Sequence, residues 1–258
     1  MSELYFLGTG GSVATAERDN TSFLIKQGQA FILVDCSGSI LQKIKKLNFN
    51  PLEIRSILIT HIHTDHVYGL PSFIHSLMLE DFLVRIYGSE VTIDFCQKLL
   101  DMFNLLREEL KVQIEFISLQ PGESVELMDS LRVKAFRVPH DSSSLAYHFF
   151  FREEEKELVY SGDTPSDSLV FQEAKEKDCL IHDCSAPSRF FQEYPSLHKM
   201  HTHSLELGKL SQEAGVKCLI PCHFFGELKF SLAEIEEEIK RSYKGKLIIP
   251  SDYEEITL

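Results

Sequence analysis

The sequence predicts an α/β (α+β) fold: two mixed β-sheets packed together with helices outside, a four-layer αββα sandwich. Three observations predict it. Short apolar runs bounded by Gly or Asn come in two batches, one in the first third of the chain and one from 112 to 162. Helical periodicity surrounds both batches. No linker rich in Pro, Gly or Ser, no low-complexity tract and no repeat interrupts the 258 residues, so 1–258 reads as one domain.

The elements follow in order. The runs 3-ELYFLG-8, 22-SFLIKQ-27 and 30-AFILVDC-36 read as strands. In 40-ILQKIKKL-47 apolar residues fall at i, i+1, i+4 and i+7, which predicts a helix over 38–47, and Asn50-Pro51 ends it. The run 54-IRSILIT-60 is a buried strand. Then come a helix at 71–79, strand 83–88 and a helix at 90–107. The second batch holds strands 112–118, 124–129, 131–138, 145–151 and 157–162. Helices at 167–177, 204–214 and 231–243 alternate with strands 179–183, 217–222 and 246–250, and a tail follows.

Composition sets limits on function. Apolar content of 43% and charged content of 25% suit a globular core. Net charge is −13, which disfavours a nucleic-acid surface, where a basic stripe is expected. The acidic runs 153-EEEKE-157 and 236-EEE-238 read as solvated, the first at a hairpin tip and the second on the outer face of the last helix. The N-terminus has neither a basic stretch nor a long apolar one, so no signal peptide is expected. No apolar run approaches the length of a membrane span, and the chain is expected in the cytoplasm. The six cysteines (36, 96, 179, 184, 218 and 222) form no CxxC pair and read as reduced, small buried residues.

The chemistry concentrates at 61-HIHTDHVYGL-70. Three histidines and an aspartate directly after an apolar strand are costly unless they are paired or ligating. Three further metal-competent residues also follow predicted strands: His140, Asp163 and His223. In open sheets, ligands gather outside the carboxyl ends of strands. In an extended segment i and i+2 project alike, so His61 and His63 can grip one ion, with His140. Asp65 and His66 turn toward a second, with His223. Asp163 can bridge the two. Imidazole and carboxylate ligands suit zinc, and manganese or iron also fit such a set. Seven ligands for two ions leave positions open for water and substrate, the mark of a catalytic site.

With these residues in place, the chain resembles the metallo-β-lactamase superfamily. The pattern HxHxDH stands at 61–66, the middle histidine in 139-PH-140, the bridging aspartate in 161-SGDT-164 and the last histidine in 221-PCHF-224. Within that superfamily it is similar to ribonuclease Z and related phosphodiesterases. The shared features are the opening 7-LGTGG-11, the turn 18-RDNTS-22, Asp35 at a strand end, and 182-HDCS-185. The resemblance implies that His201 is the proton relay, oriented by Asp183, with His203 held in reserve. It also implies that Asp65 holds its ion and accepts the nucleophile's proton. Asp35 is expected to orient a ligand histidine. The tRNA-processing members carry a long Gly- and Pro-rich arm between the middle histidine and the bridging aspartate. Here that interval is 23 residues (163 − 140), so the arm is missing. A small anionic phosphodiester is therefore the expected substrate and large RNA is disfavoured. A homodimer is compatible with the sequence.

The expected reaction is hydrolysis of a phosphodiester by a hydroxide shared between two divalent ions. An acyl hydrolase, whether lactonase, thioesterase or β-lactamase-like, is the alternative on the same centre. A non-catalytic metal-binding module is the alternative of another class. Gly8, Gly10 and Gly11 read as a tight turn before they read as a phosphate cradle. His75, His148, His182 and His198 read as structural, Arg18, Arg189 and Lys199 as surface residues, and Phe73 and Met78 as core or pocket wall.

Overall fold

The computed structural model describes residues 2–166 and 168–258. The helix expected at 167–177 thus begins on a position outside the described residues.

Two seven-stranded sheets form the middle of the molecule. The first contains β1 (Glu3–Gly8), β2 (Ser22–Gln27), β3 (Ala30–Val34), β4 (Ile54–Leu58), β5 (Leu83–Gly88) and β6 (Gln113–Ser118). The second contains β7 (Ser124–Met128), β8 (Leu131–Arg137), β9 (Leu145–Phe151), β10 (Lys156–Tyr160), β11 (Cys179–Asp183), β12 (Cys218–Cys222) and β13 (Lys246–Leu247). A short β14 (Glu255–Thr257), expected as tail, returns to pair with β1. In both sheets the earlier strands pair antiparallel through hairpins. The later ones pair parallel.

Parallel strands need crossovers, and helices supply them. They are α1 (Ile40–Lys46), α2 (Thr64–Val67), α3 (Leu70–Leu77) and α4 (Glu90–Met102) on the first sheet. On the second they are α5 (Val170–Glu173), α6 (Ser188–Glu193), α7 (Ser204–Glu213) and α8 (Leu232–Ser242).

Period-2 burial explains the layering. In β1, Leu4 and Phe6 point into the core between the sheets, while Tyr5 and Leu7 pack under the helices. In β3, Ile32 and Val34 face the inter-sheet core and Phe31 and Leu33 the helices. Tyr147, Phe149 and Phe151 of β9 meet the first sheet from the other side. Strands buried on both faces read as unbroken apolar runs, as these do. Burying one such side chain contributes roughly 1.5–3 kcal/mol, so each central strand is held from two sides.

Several expected boundaries shift for identifiable reasons. Strand 30–36 stops at Val34 because Asp35 takes left-handed backbone, φ 56°. Helix 90–107 ends at Met102 because Asn104 is left-handed, φ 58°. The helix expected near 167–177 is one turn, Val170–Glu173. The strand expected at 246–250 pairs over only two residues. Helices α2 and α6 were not expected; both are short. One reading of the acidic runs is corrected: Glu238 is buried, not solvated, and accepts hydrogen bonds from the Ser188 backbone N–H (2.8 Å) and from the Ser188 and Ser204 hydroxyls.

Candidate metal centre

The edge where strand ends meet collects the polar residues. His61, His63, Asp65 and His66 follow β4, His140 follows β8, Asp163 follows β10, and His223 follows β12. The structure brings all seven together in two overlapping groups. His61, His63, His140 and Asp163 form one; Asp65, His66, Asp163 and His223 form the other. Asp163 belongs to both.

In the first group, His63 Nδ1 lies 3.0 Å from His61 Nε2 and 3.1 Å from His140 Nε2. Asp163 Oδ2 is 3.8 Å from His61 Nε2 and 3.9 Å from His140 Nε2. In the second, His223 Nε2 stands 3.1 Å from Asp163 Oδ2 and 3.4 Å from Asp65 Oδ2. His66 Nε2 stands 3.3 Å from Asp65 Oδ2 and 3.5 Å from Asp163 Oδ1. Most of these atoms are buried; His63 is the exposed edge.

The rings of His61, His66 and His140 are oriented from behind. Asp35 Oδ2 accepts from His66 Nδ1 at 2.8 Å and from the Tyr160 hydroxyl at 3.1 Å. Asp35 Oδ1 accepts from the Thr60 backbone N–H at 2.8 Å, and the Thr60 hydroxyl lies 3.0 Å from His61 Nδ1. The Met200 carbonyl accepts from His140 Nδ1 at 2.8 Å. Such outer partners fix ring tautomer and direction. Asp141 was missed in the sequence. Its Oδ2 lies 3.5 Å from His63 Nε2 and its Oδ1 accepts from Ser143 and Ser144. Its place directly after His140 was the available clue.

The residues fit a divalent cation on three counts. The donor set is imidazole and carboxylate. His66 Nε2 and Asp163 Oδ1 are buried without a well-formed hydrogen bond, a costly arrangement for polar atoms with no other partner. The electrostatics also favour positive charge. Burial pushes His223 toward neutrality, yet Asp163, Asp183 and Asp65 raise it to about 10. Against the same burial, Asp163, Asp35 and Asp65 hold His66 well above the ordinary histidine value. Burial would raise Asp163, but His223 and His66 hold it well below the usual carboxylate range. Asp65 behaves alike, held down by His66 and His223 against its burial. By contrast, burial lowers His61 and His140.

A third cluster abuts the second group. Asp183 Oδ2 accepts from His201 Nδ1 at 2.9 Å, and Asp183 Oδ1 from the Ser185 hydroxyl at 2.6 Å. The His201 ring lies 5.1 Å from that of His140 and 5.3 Å from that of His223. Phe225 packs edge-on against His201, 5.0 Å between centroids. His203 turns away: its Nδ1 accepts from the Glu206 N–H and caps α7.

The opening loop serves the site through its backbone. A Cβ on Gly8 would stand 2.0 Å from the Asn20 carbonyl, and one on Gly11 would stand 2.9 Å from Phe225. These glycines let the loop press against the 18–20 turn and the His223 segment. Arg18 is tied down by Thr9 and the Pro250 carbonyl, and Arg189 pairs with Glu234 at 2.6 Å. His148 is buried between Glu157 and Glu173, and His182 stacks on Phe171. Phe73 is core, and Met78 packs against it. A mouth of about 460 Å³ opens over the centre, lined by Ser12, Ala14, Asn20, His63, Thr64, Asp65 and Tyr68.

The family described as Anti-Pycsar protein Apyc1 matches residues 2–224. The chain belongs to that family. It also matches ribonuclease Z of Methanosarcina mazei, 26% identical over 96% of this chain and 95% of the relative. Among solved structures it is similar to the metallo-β-lactamase fold protein YhfI of Bacillus subtilis, with TM-score 0.83 and 19% identity over 99% and 98% of the two chains. Human tRNase Z, short form, superposes with TM-score 0.78 at 20% identity over the same shares. The chain therefore has the metallo-β-lactamase fold, and its His/Asp clusters are those of a divalent-metal protein.

Proposed function

We propose that this Apyc1-family protein is a metal-dependent hydrolase that cleaves phosphodiesters, holding two divalent ions, zinc for preference. The carrying observation is the convergence of seven ligand-type side chains in two groups that share Asp163, with the His201–Asp183 pair beside them. Full-length similarity to ribonuclease Z supports the phosphodiester class. When bound, such ions would lower the pKa of water and offset charge on phosphoryl oxygens.

The protein's own residues do the rest. His61, His63 and His140 hold one ion; Asp65, His66 and His223 hold the other; Asp163 serves both. Asp35, Thr60, Asp141 and the Met200 carbonyl lock ring orientation, so the ligands pay little reorganisation on binding. Asp183 fixes His201 Nδ1 as its donor and leaves Nε2 as the nitrogen that passes a proton to the leaving alkoxide. Only 23 positions (163 − 140) separate His140 from Asp163, and two strands and a hairpin fill them. That leaves no arm there to grip a folded RNA, so a small diester suits this chain.

The test is a substrate panel on protein loaded separately with zinc and manganese: bis-p-nitrophenyl phosphate, cyclic nucleotides, a tRNA precursor, lactones and thioesters. Diester turnover with silent acyl substrates is expected. Faster turnover of lactones or thioesters than of any diester would overturn the proposal.

A further inference from the structure

At the ends of β11 and β12 away from the metal centre, two cysteines face each other. Cys179 and Cys218 are direct register partners on parallel strands. Adjacent strands run about 4.8 Å apart, within the Cα separation of about 4.4–6.8 Å that a disulfide tolerates. Cys179 is buried, 1% exposed, whereas Cys218 is the one cysteine among the described residues that is only partly buried.

A cavity of about 230 Å³ opens onto the pair, and Lys156, Lys217 and Lys246 stand in its wall with Glu157 and Asp178. Lys217 is engaged by Asp178 at 2.8 Å. Lys246 is the register partner of Cys218 on β13. The neighbouring Cys179, helped by the charge of Lys246, holds the Cys218 thiol below its ordinary value. The neighbouring Cys218 and burial push Cys179 up. Burial also pushes up Cys36, Cys96, Cys184 and Cys222. One partly exposed thiol, held below its ordinary value, opposite one buried thiol on the neighbouring strand is the arrangement of an attacking and a resolving cysteine.

We propose that Cys179 and Cys218 form a modification site, an oxidant-reactive dithiol that a small hydroperoxide converts to a cross-strand disulfide. The Cys218 thiolate attacks the terminal peroxide oxygen. The O–O bond breaks, the alkoxide leaves and takes up a proton, and Cys218 becomes a sulfenic acid. The Cys179 sulfur then attacks the Cys218 sulfur. The S–S bond forms, the S–O bond breaks, and hydroxide leaves as water with the Cys179 proton. Two thiols and one hydroperoxide give one disulfide, one alcohol and one water. The pair lies roughly 13 Å, four residues of strand, from Asp183 and is chemically separate from the metal ligands.

The experiment treats the metal-loaded full chain with excess hydrogen peroxide, then blocks free thiols and maps peptides without reduction. Two of the six thiols should disappear, a Cys179–Cys218 linked peptide should appear, and dithiothreitol should restore both thiols. A C222S control should give the same linked peptide, and C218S should give none. The proposal is overturned if all six thiols persist. It is equally overturned if the linkage maps to Cys36–Cys96 or Cys184–Cys222, or if Cys218 reaches the sulfinic acid while Cys179 remains a free thiol.

Discussion

At the residue scale, His201 carries the sharpest expectation. It is held by Asp183 at 2.9 Å and sits within ring-contact distance of His140 and His223. A proton donor matters when the leaving group is a poor one. His201→Ala should therefore cost roughly 10²–10⁴ in kcat for an alkyl diester and far less for a p-nitrophenyl diester. Equal losses on the two substrates remove His201 from proton transfer. The clustering of the seven residues could be read in the sequence because HxHxDH is compact and its partners follow strand ends in order. The residues behind them were harder to see. Thr60, Met200 and Phe225 act through a hydroxyl, a carbonyl and a ring edge, and none of these has a spacing rule. The left-handed backbone of His223, φ 63°, is likewise silent in the sequence.

At the element scale, Glu238 ties three helices. From α8 it accepts from Ser188 at the start of α6 and Ser204 at the start of α7. Periodicity placed it on a polar face, and only the packing of α6, itself unexpected, shows why it is buried. Burial would raise its carboxyl, but Ser188 and Ser204 hold it below the ordinary glutamate value. A depressed carboxyl stabilises the fold above its unfolded pKa, and that contribution fades as pH falls through the folded one. Glu238→Gln should accordingly cost about 1–3 kcal/mol at pH 7. The gap to wild type should close between about pH 5 and pH 3 in urea melts. A gap that stays constant with pH refutes the charge-based account. Elements with long apolar runs were legible to within a few residues. Those that failed were single turns, such as α2, α6 and the shortened α5, where little periodicity exists to read.

At the scale of the whole molecule, the metal centre joins the two sheets. His61, His63, Asp65 and His66 come from the first, and His140, Asp163 and His223 from the second. Protein hydrogen bonds cross the same edge, from Leu145 N–H to the Thr60 carbonyl (3.0 Å) and from the Tyr147 hydroxyl to the Ile59 carbonyl (2.7 Å). Ions bound there favour only the folded chain. Adding zinc or manganese to chelated protein at about a thousandfold Kd should raise Tm by roughly 10 °C. An unchanged melting curve would mean the clusters hold no ion. The two-sheet layering was readable from two batches of strands, whereas the return of β14 to β1 was not, since three residues carry no pattern.

The mouth over the centre has neither lysine nor arginine in its lining, and the chain as a whole carries −13. An anionic diester thus meets repulsion during diffusional encounter and feels attraction only at close range. Added potassium chloride mutes that repulsion, so kcat/KM should climb a few-fold between low and physiological ionic strength, opposite to an enzyme that steers polyanions inward.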